Sequence, residues 1–390
     1  MFDFILSFVK NGNEYILCAE SPFLAGQASP IAFRGFTSRI RELLQRSSRD
    51  LSLPNSFQVA SPHPQGQIYP PCERESEMSF WDEVLAPARR DEYIEFVGKN
   101  DSVRIGRALY QQIFSGEIEE LFERARNLAR QERTGLRILI RSWHDPEIHD
   151  LPWELLHDGR RFLAQSTETP VVRSLEQQRP LREFRIDPPL RILLTTASPQ
   201  YCSPLDVQEE EHRLRAALSP LGDLAILVTE HQVSLERLRF LLFRARAQGR
   251  PFQVWHHAGH GGLEGDVFSL ALTNRDGSMQ RAAVEELTTV LGVCEELRLA
   301  VINACRGASV AGLATALANL NIPAVIGFRR EIMDDSALVF AEALYQGLTE
   351  TTLERAVSRA RLELRDTGYS ADDWSYPLLF VRTAAAGPWL

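Results

Sequence analysis

The sequence predicts an α/β protein whose larger part is a doubly wound, mostly parallel sheet with helices on both faces. Three observations point there. Strand-like and helix-like segments alternate from residue 190 to residue 382. Several of the strands are near-continuous apolar runs, such as "RILLTT" and "LAVINA", as expected of strands covered on both sides. A charged, proline-rich stretch at 176–189 separates this region from an N-terminal part with a different rhythm. A boundary is expected there, giving an α+β domain over 1–184 and an α/β domain over 185–390.

The elements follow in order. Apolar, β-prone residues at 2–10 and 14–19 flank "NGN", the signal of a hairpin. "SRIRELLQRSSRD" (38–50) has helical spacing at Ile40, Leu43 and Leu44. Residues 51–78 are rich in Pro, Ser and Gln without a period and read as a surface loop, or as an activation or self-cleavage loop. A helical pattern over 102–131 is divided at Gly116. "LRILIRS" (136–142) is a strand, and "HDPEIHD" (144–150) reads as a solvated loop. In "LPWELLHDGRRFLAQ" (151–165), Trp153, Leu155 and Leu156 read as packing residues at a joint between domains, ahead of a strand at 170–175. Beyond the boundary, strands are expected at 190–196, 224–230, 252–258, 297–304, 322–328 and 376–382. Helices are expected at 207–218, 234–248, 283–292, 309–320, 334–347 and 351–366. No internal repeat is visible.

Composition narrows the function. The 390 residues carry a net charge of -9, which argues against non-specific nucleic-acid binding. The five cysteines are scattered, odd in number and without a CxxC pair, so neither a disulfide framework nor a zinc ribbon is expected. "MFDFILSF" lacks the basic start of a signal peptide, and no apolar run reaches the ~18 residues of a membrane span. A cytoplasmic protein with free thiols, without membrane insertion, is the expectation.

In an open parallel sheet, ligands sit outside the carboxyl ends of the strands. The strand at 252–258 delivers "GHGG", which places His260 in a loop, and the strand at 297–304 delivers Cys305. A thiol attacking an amide carbonyl needs a base, and imidazole is the usual one. Arg306 and the start of the next helix favour the thiolate. Gly259 would let the strand break before His260, and the Gly261 N–H suits a developing oxyanion. His256 and His257 alternate faces of a strand and read as core residues. A zinc site on His256, His257 and His260 is disfavoured because adjacent strand residues diverge. Cys18, Cys72, Cys202 and Cys294 have no histidine at a matching strand end and read as structural or incidental.

"INACRGA" (302–308) resembles the caspase signature Q-A-C-[RQG]-G, with Asn303 at the glutamine position. The separation from His260 to Cys305, 305 - 260 = 45 residues, is near the caspase spacing of ~50. The chain as a whole resembles the CHAT family, the caspase- and separase-related peptidases of bacteria. The resemblance rests on "LPWELLHDG" (151–159), "AGHG" (258–261), "NAC" (303–305) and "PAV" (323–325), and it covers about 100–385. It implies a caspase-like fold, peptide-bond hydrolysis through a thioester, His260 as general base and acid, and Cys305 as nucleophile. It assigns the oxyanion hole to the backbone N–H groups of Gly261 and Cys305 and calls for no metal and no cofactor. For the N-terminal part it implies a pseudo-protease-like layer that gates the site.

The same resemblance implies a protein substrate in a bacterial stress, anti-phage defence or cell-death pathway. A gasdermin-like pore former, or another toxin or effector, and an activating partner are the partners it names. Asn303, in place of glutamine, speaks against cleavage after Asp. Relatives such as separases read a basic residue with an acidic pocket, for which Asp334 and Asp335 in "EIMDDSALVF" (331–340) are candidates, together with Asn303. The two aspartates equally suit the N-terminal dipole of a helix. The competing expectations are a catalytically silent scaffold of the same fold and a metal-dependent hydrolase. Iodoacetamide would abolish the activity of a cysteine peptidase, and a chelator that of a metal-dependent hydrolase.

Overall fold

Period-two burial marks the second strand of the N-terminal hairpin, where Tyr15, Leu17, Ala19 and Ser21 are buried and Ile16, Cys18 and Glu20 only partly so. The structure, a computed structural model, describes residues 1–11, 14–24, 26–27, 31–34, 99–142, 146–149, 151–174, 188–200, 202, 205–264, 267–304, 310–320, 322–329, 332, 334–367 and 372–382. The helix expected over 38–50, the proline-rich loop at 51–78, most of the expected boundary and Cys305 itself lie outside these residues. The N-terminal hairpin forms as expected. β1 (Phe2–Asn11) pairs antiparallel with β2 (Glu14–Ser21), with Asn11 opposite Glu14. β3 (Gly26–Gln27) and β4 (Ile31–Arg34) pair with β2.

Two helices follow, α1 (Lys99–Ile113) and α2 (Glu117–Gln131), of which α2 packs on the hairpin and α1 on the turn at Trp153–Leu155. They part at Gly116, whose φ of 56° is left-handed and open to glycine at no steric cost. The apolar stripe Ile105, Leu109, Ile113, Ile118, Leu121 and Phe122 is buried. Phe122 meets Phe4 of β1 edge-on, with ring centroids 5.1 Å apart.

β1 then pairs parallel with β5 (Leu136–Ser142), and β5 with β6 (Val171–Ser174). Between β5 and β6 the expected solvated loop is corrected. Pro146–His149 is a helical turn in which Ile148 and His149 are buried. The cause is local bonding: Trp153 Nε1–H donates to Ile148 O at 2.7 Å, and Arg173 Nε–H donates to His149 O at 2.8 Å. Trp153, Leu155 and Leu156 are fully buried. Glu154 between them is also fully buried and pairs with Arg173 and Arg361.

The alternating region follows its expected order. β7 (Leu190–Thr196), α3 (Val207–Leu218), β8 (Ala225–Glu230), α4 (Leu235–Ala247) and β9 (Val254–Glu264) come first. Next are β10 (Val267–Thr273), β11 (Met279–Ala283), α5 (Val284–Leu291), β12 (Leu299–Ala304) and α6 (Val310–Asn319). β13 (Ala324–Phe328), α7 (Asp334–Glu350), α8 (Leu353–Thr367) and β14 (Pro377–Val381) complete it. β10 and β11 are additions to the expected set. They form because β9 runs past its parallel neighbours and folds back on β10.

All these strands join one sheet, in the order β8-β7-β9-β12-β13-β14-β6-β5-β1-β2. β8, β7, β9, β12 and β13 are parallel. β14 is antiparallel to β13, and β14, β6, β5 and β1 form a second parallel block of opposite sense. The sheet therefore continues from the segment before the expected boundary into the segment after it. The first block is doubly wound. Ile192, Leu194, Val254 and Val301 face a core shared with α3, α7 and α8. Leu193, Trp255, Ala300 and Ile302 face a second core under α4, α5 and α6. The expected α/β class with helices on both faces is what the chain adopts. No described helix is long and apolar enough to cross a membrane.

Candidate active site

The central pair of strands carries the candidate site. β9 and β12 are parallel neighbours, with Ile302 opposite His257, Asn303 opposite Ala258, and Ala304 opposite Gly259. His260 follows Gly259, and Cys305 follows Ala304. The described part of β12 ends at Ala304. His260 is 8% exposed.

The loop expected around His260 is corrected. His260 and Gly261 lie within β9, opposite Ala271 and Leu270 of β10. Gly259 is therefore not a break. Its register with Ala304 is regular, and its missing side chain serves a neighbour. A β-carbon at 259 would stand 2.6 Å from His257 Nε2. The glycine admits the His257 ring.

His256 and His257 point to opposite faces, and both are fully buried. His257 Nδ1 lies 3.1 Å from Thr195 Oγ1, the hydroxyl that also accepts from Trp255 Nε1–H at 2.9 Å. Its Nε2 has no hydrogen-bond partner among the described residues. Burial, reinforced by His256 and His260, pushes the His257 pKa down to about 3, so the ring is neutral.

His256 sits in a different environment. Its Nε2 is 2.9 Å from Glu210 Oε1, and its Nδ1 is 3.0 Å from Tyr345 Oη. Burial, and then the Glu210 carboxylate, hold the Tyr345 hydroxyl far above the ordinary phenol range. Tyr345 therefore keeps its proton. A carboxylate only accepts, so the bond to Glu210 is donated by the Nε2–H, and in the neutral ring Nδ1 accepts from the Tyr345 O–H. Asn303 Nδ2–H donates to the same Glu210 Oε1 at 2.9 Å. One carboxylate on α3 thus ties β9 to β12.

A cleft of about 400 Å3, its open mouth included, lies against these groups. Leu205, Ala258, Gly259, Ile332, Ala337 and Leu338 supply its apolar wall, and Asp206, Glu210 and Asn303 its polar lining. Asn303 thus lines the cleft. Asp335 is exposed in the first turn of α7 and is not among the described lining residues. Asp334 is the first residue of the same helix. The acids among the described lining residues are Glu210 and Asp206, which the sequence reading did not single out. Asp206 caps α3 by accepting from Glu209 N–H at 3.0 Å. The signal for Glu210 was its spacing. It lies four residues before Leu214 on the buried stripe of α3, where a charge needs a partner.

Two other cysteines have thiols unsuited to attack. Burial pushes both Cys202 and Cys294 up to about 11, with Glu296 adding to the effect at Cys294. Among the described residues, no three His, Cys, Asp or Glu side chains converge as a metal site would require.

Residues 103–381 match the family model described as the CHAT domain. The match begins well before the boundary expected at 184/185 and runs across it. No curated protein matches the chain in sequence. Among solved structures, the chain is similar to a secreted C11 cysteine protease from Bacteroides thetaiotaomicron, determined in complex with an irreversible peptide inhibitor. The identity is 14% and the TM-score 0.35, over 48% of this chain and 63% of that one. It is also similar to the Drosophila initiator caspase Dronc, at 10% identity and a TM-score of 0.35, over 51% of this chain and 83% of that one. The chain thus spans less than two thirds of the C11 protease.

Proposed function

The chain belongs to the CHAT domain family, and from that premise we propose that it is a cysteine endopeptidase acting through His260 and Cys305. One observation carries the reading: Gly259 and Ala304, the residues immediately before His260 and Cys305, stand opposite each other on adjacent parallel strands. Covalent geometry keeps each of the two chemically competent residues within ~3.8 Å, Cα to Cα, of its paired predecessor. His260 and Cys305 thus each follow the last paired position of the two parallel strands, on the carboxyl side where α/β sheets hold their ligands.

The reaction follows from the two groups. His260 takes the Cys305 proton, and Sγ bonds to the scissile carbonyl carbon. The oxygen becomes an oxyanion, for which the backbone N–H groups of Gly261 and Cys305 are the proposed donors. His260 returns the proton to the leaving amine as the C–N bond breaks. Water, deprotonated by His260, hydrolyses the thioester, releasing the acid and restoring the thiol. No metal and no cofactor enter these steps.

The substrate proposed is a partner protein, cleaved in a bacterial stress, anti-phage or cell-death response in the cytoplasm. A gasdermin-like pore former or another toxin or effector is the class of target, and an activating partner switches the enzyme on.

The test is labelling with a peptidyl acyloxymethyl ketone, followed by intact mass and peptide mapping. Modification at Cys305 that collapses in His260→Ala is the expected result. Equal labelling of several cysteines in both proteins, or none, would mean a latent or silent site and move the scaffold reading ahead until an activating partner is found.

A further inference from the structure

Among the described residues, three polar side chains line the cleft, and their hydrogen bonds are unequally used. Glu210 is 5% exposed. Its Oε1 receives both the His256 Nε2–H and the Asn303 Nδ2–H, while its Oε2 receives no described hydrogen bond. A carboxylate accepts and does not donate. The Asn303 amide can therefore meet Glu210 only with its nitrogen. Its Oδ1 is left over, makes no described hydrogen bond, and belongs to a residue that lines the cleft. The remaining polar residue, Asp206, is an exposed acceptor near the mouth. Among the described lining residues, the polar groups left for a ligand are acceptors.

We infer that Glu210 is a positioning residue that sets the specificity of the cleft: by holding the Asn303 amide nitrogen it turns Asn303 Oδ1 toward the bound side chain. The inference rests on the peptidase reading and deepens it. The cleft then takes a hydrogen-bond-donating side chain, neutral or cationic, and rejects one that only accepts. An acceptor-only ligand would face unpaired acceptors and lose its own solvation. The wall of Leu205, Ile332 and Leu338 suits the apolar stem of a long side chain.

Glu210→Leu isolates the effect. It removes the acceptor that holds the Asn303 nitrogen, whereas a glutamine oxygen could still accept both bonds that Glu210 Oε1 accepts. The Asn303 amide is then free to turn over and present its nitrogen to the cleft. Acyloxymethyl ketone probes that differ only in the side chain next to the warhead read this out. Lysine donates, glutamate only accepts, and norleucine does neither.

Rates of Cys305 modification are measured by intact mass, each referred to the norleucine rate in the same protein. The wild type is expected to favour lysine over glutamate by on the order of 100-fold, and Glu210→Leu to compress that ratio about tenfold. Asn303→Ala compresses it alike, and Glu210→Leu in that background adds no further loss, because Glu210 acts through Asn303. No lysine preference in the wild type, an unchanged ratio in a folded Glu210→Leu, or independent losses from the two variants would overturn the inference. If Glu210→Leu does not fold, Asn303→Ala removes the same acceptor and must lose the preference. If no probe labels Cys305, norleucine included, the site is latent or silent. The clamp is then tested by a double-mutant cycle of Glu210→Leu and Asn303→Ala on unfolding. Coupling of about tenfold in the unfolding constant supports it, and additivity overturns it.

Discussion

Gly259 and His257 are fitted to each other: a β-carbon on the glycine would lie 2.6 Å from the imidazole Nε2. The ring cannot simply swing away, because its Nδ1 is 3.1 Å from Thr195 Oγ1 and it is fully buried. Gly259→Ala is therefore expected to destabilise the protein by about 1–3 kcal/mol, the usual cost of overpacking. It should also slow labelling of Cys305, since Gly259 adjoins His260 and pairs with Ala304. The check is urea unfolding of Gly259→Ala, His257→Ala and the double variant. If the imidazole is the obstacle, the double variant is more stable than the two single losses predict. Simple additivity would place the strain elsewhere.

The same imidazole gives a pH dependence of stability. Its folded pKa of about 3 lies below the ordinary value of 6.5. Between those values the unfolded chain binds a proton that the folded chain does not. Stability from this group is therefore complete above about pH 6.5 and is lost as the pH falls toward about 3. A single group contributes at most about 1.4 kcal/mol per pH unit over that window. Urea titrations of the wild type and His257→Gln at several pH values test this. The variant should lack about one proton of linkage between pH 4 and 6. Equal slopes in the two proteins would show that His257 is protonated in the folded state.

Much of this architecture was legible in the sequence, for physical reasons that can be named. Leu193 and Ile302 read as buried because parallel strands covered on both faces are apolar throughout. Gly116 read as a helix break because a left-handed residue there favours glycine. The far half of β9 was misread because Gly259, Gly261 and Gly262 resemble a loop. Pairing with β10 overrides that local preference. The alternation of Phe268, Leu270 and Leu272, all buried, marks β10 once its partner is known. Glu210 was hidden in a run of three glutamates, where only its register with Leu214 sets it apart. No spacing rule brings Asn303 and Glu210 together, because 93 residues separate them.

Glu154 makes the "LPWELL" segment more than apolar filling. Burial alone would raise its pKa, but Arg173 and then Arg361 outweigh that and hold it below the ordinary carboxylate value of 4.5. Its Oε2 is 3.0 Å from Arg173 Nη2, and its Oε1 is 3.3 Å from Arg361 Nη2. Both guanidiniums are fully buried. Glu154→Ala is expected to cost about 3–5 kcal/mol, because it strands two buried cations. A folded pKa below the unfolded one stabilises above about pH 4.5, and the gain is lost as the pH falls through the folded value. Glu154→Gln keeps the shape and should lack that part of the acid limb. Chemical denaturation between pH 3 and 6 measures both effects, and an undiminished limb in Glu154→Gln would assign it to other carboxylates.

Tyr345 offers a way to perturb the cleft without touching its lining. The hydroxyl is 3.0 Å from His256 Nδ1, and the two rings stack with centroids 5.6 Å apart and planes at 27°. Tyr345→Phe keeps the stacked ring and removes only the O–H. His256 Nδ1 then loses its donor inside a fully buried site, at a cost of about 1–3 kcal/mol. The loss also frees the tautomer. In the wild type the Tyr345 O–H donated to Nδ1 and the Glu210 acceptor, 2.9 Å from Nε2, together favour the imidazole proton on Nε2. Without the O–H, the imidazole proton can sit on Nδ1, and Glu210 Oε1 keeps only the Asn303 donor. Nitrogen NMR of labelled histidine distinguishes the tautomers. The wild-type His256 is expected to be protonated at Nε2 alone, and Tyr345→Phe to show a mixture. An unchanged tautomer with full stability would mean that Glu210, and not Tyr345, fixes the proton.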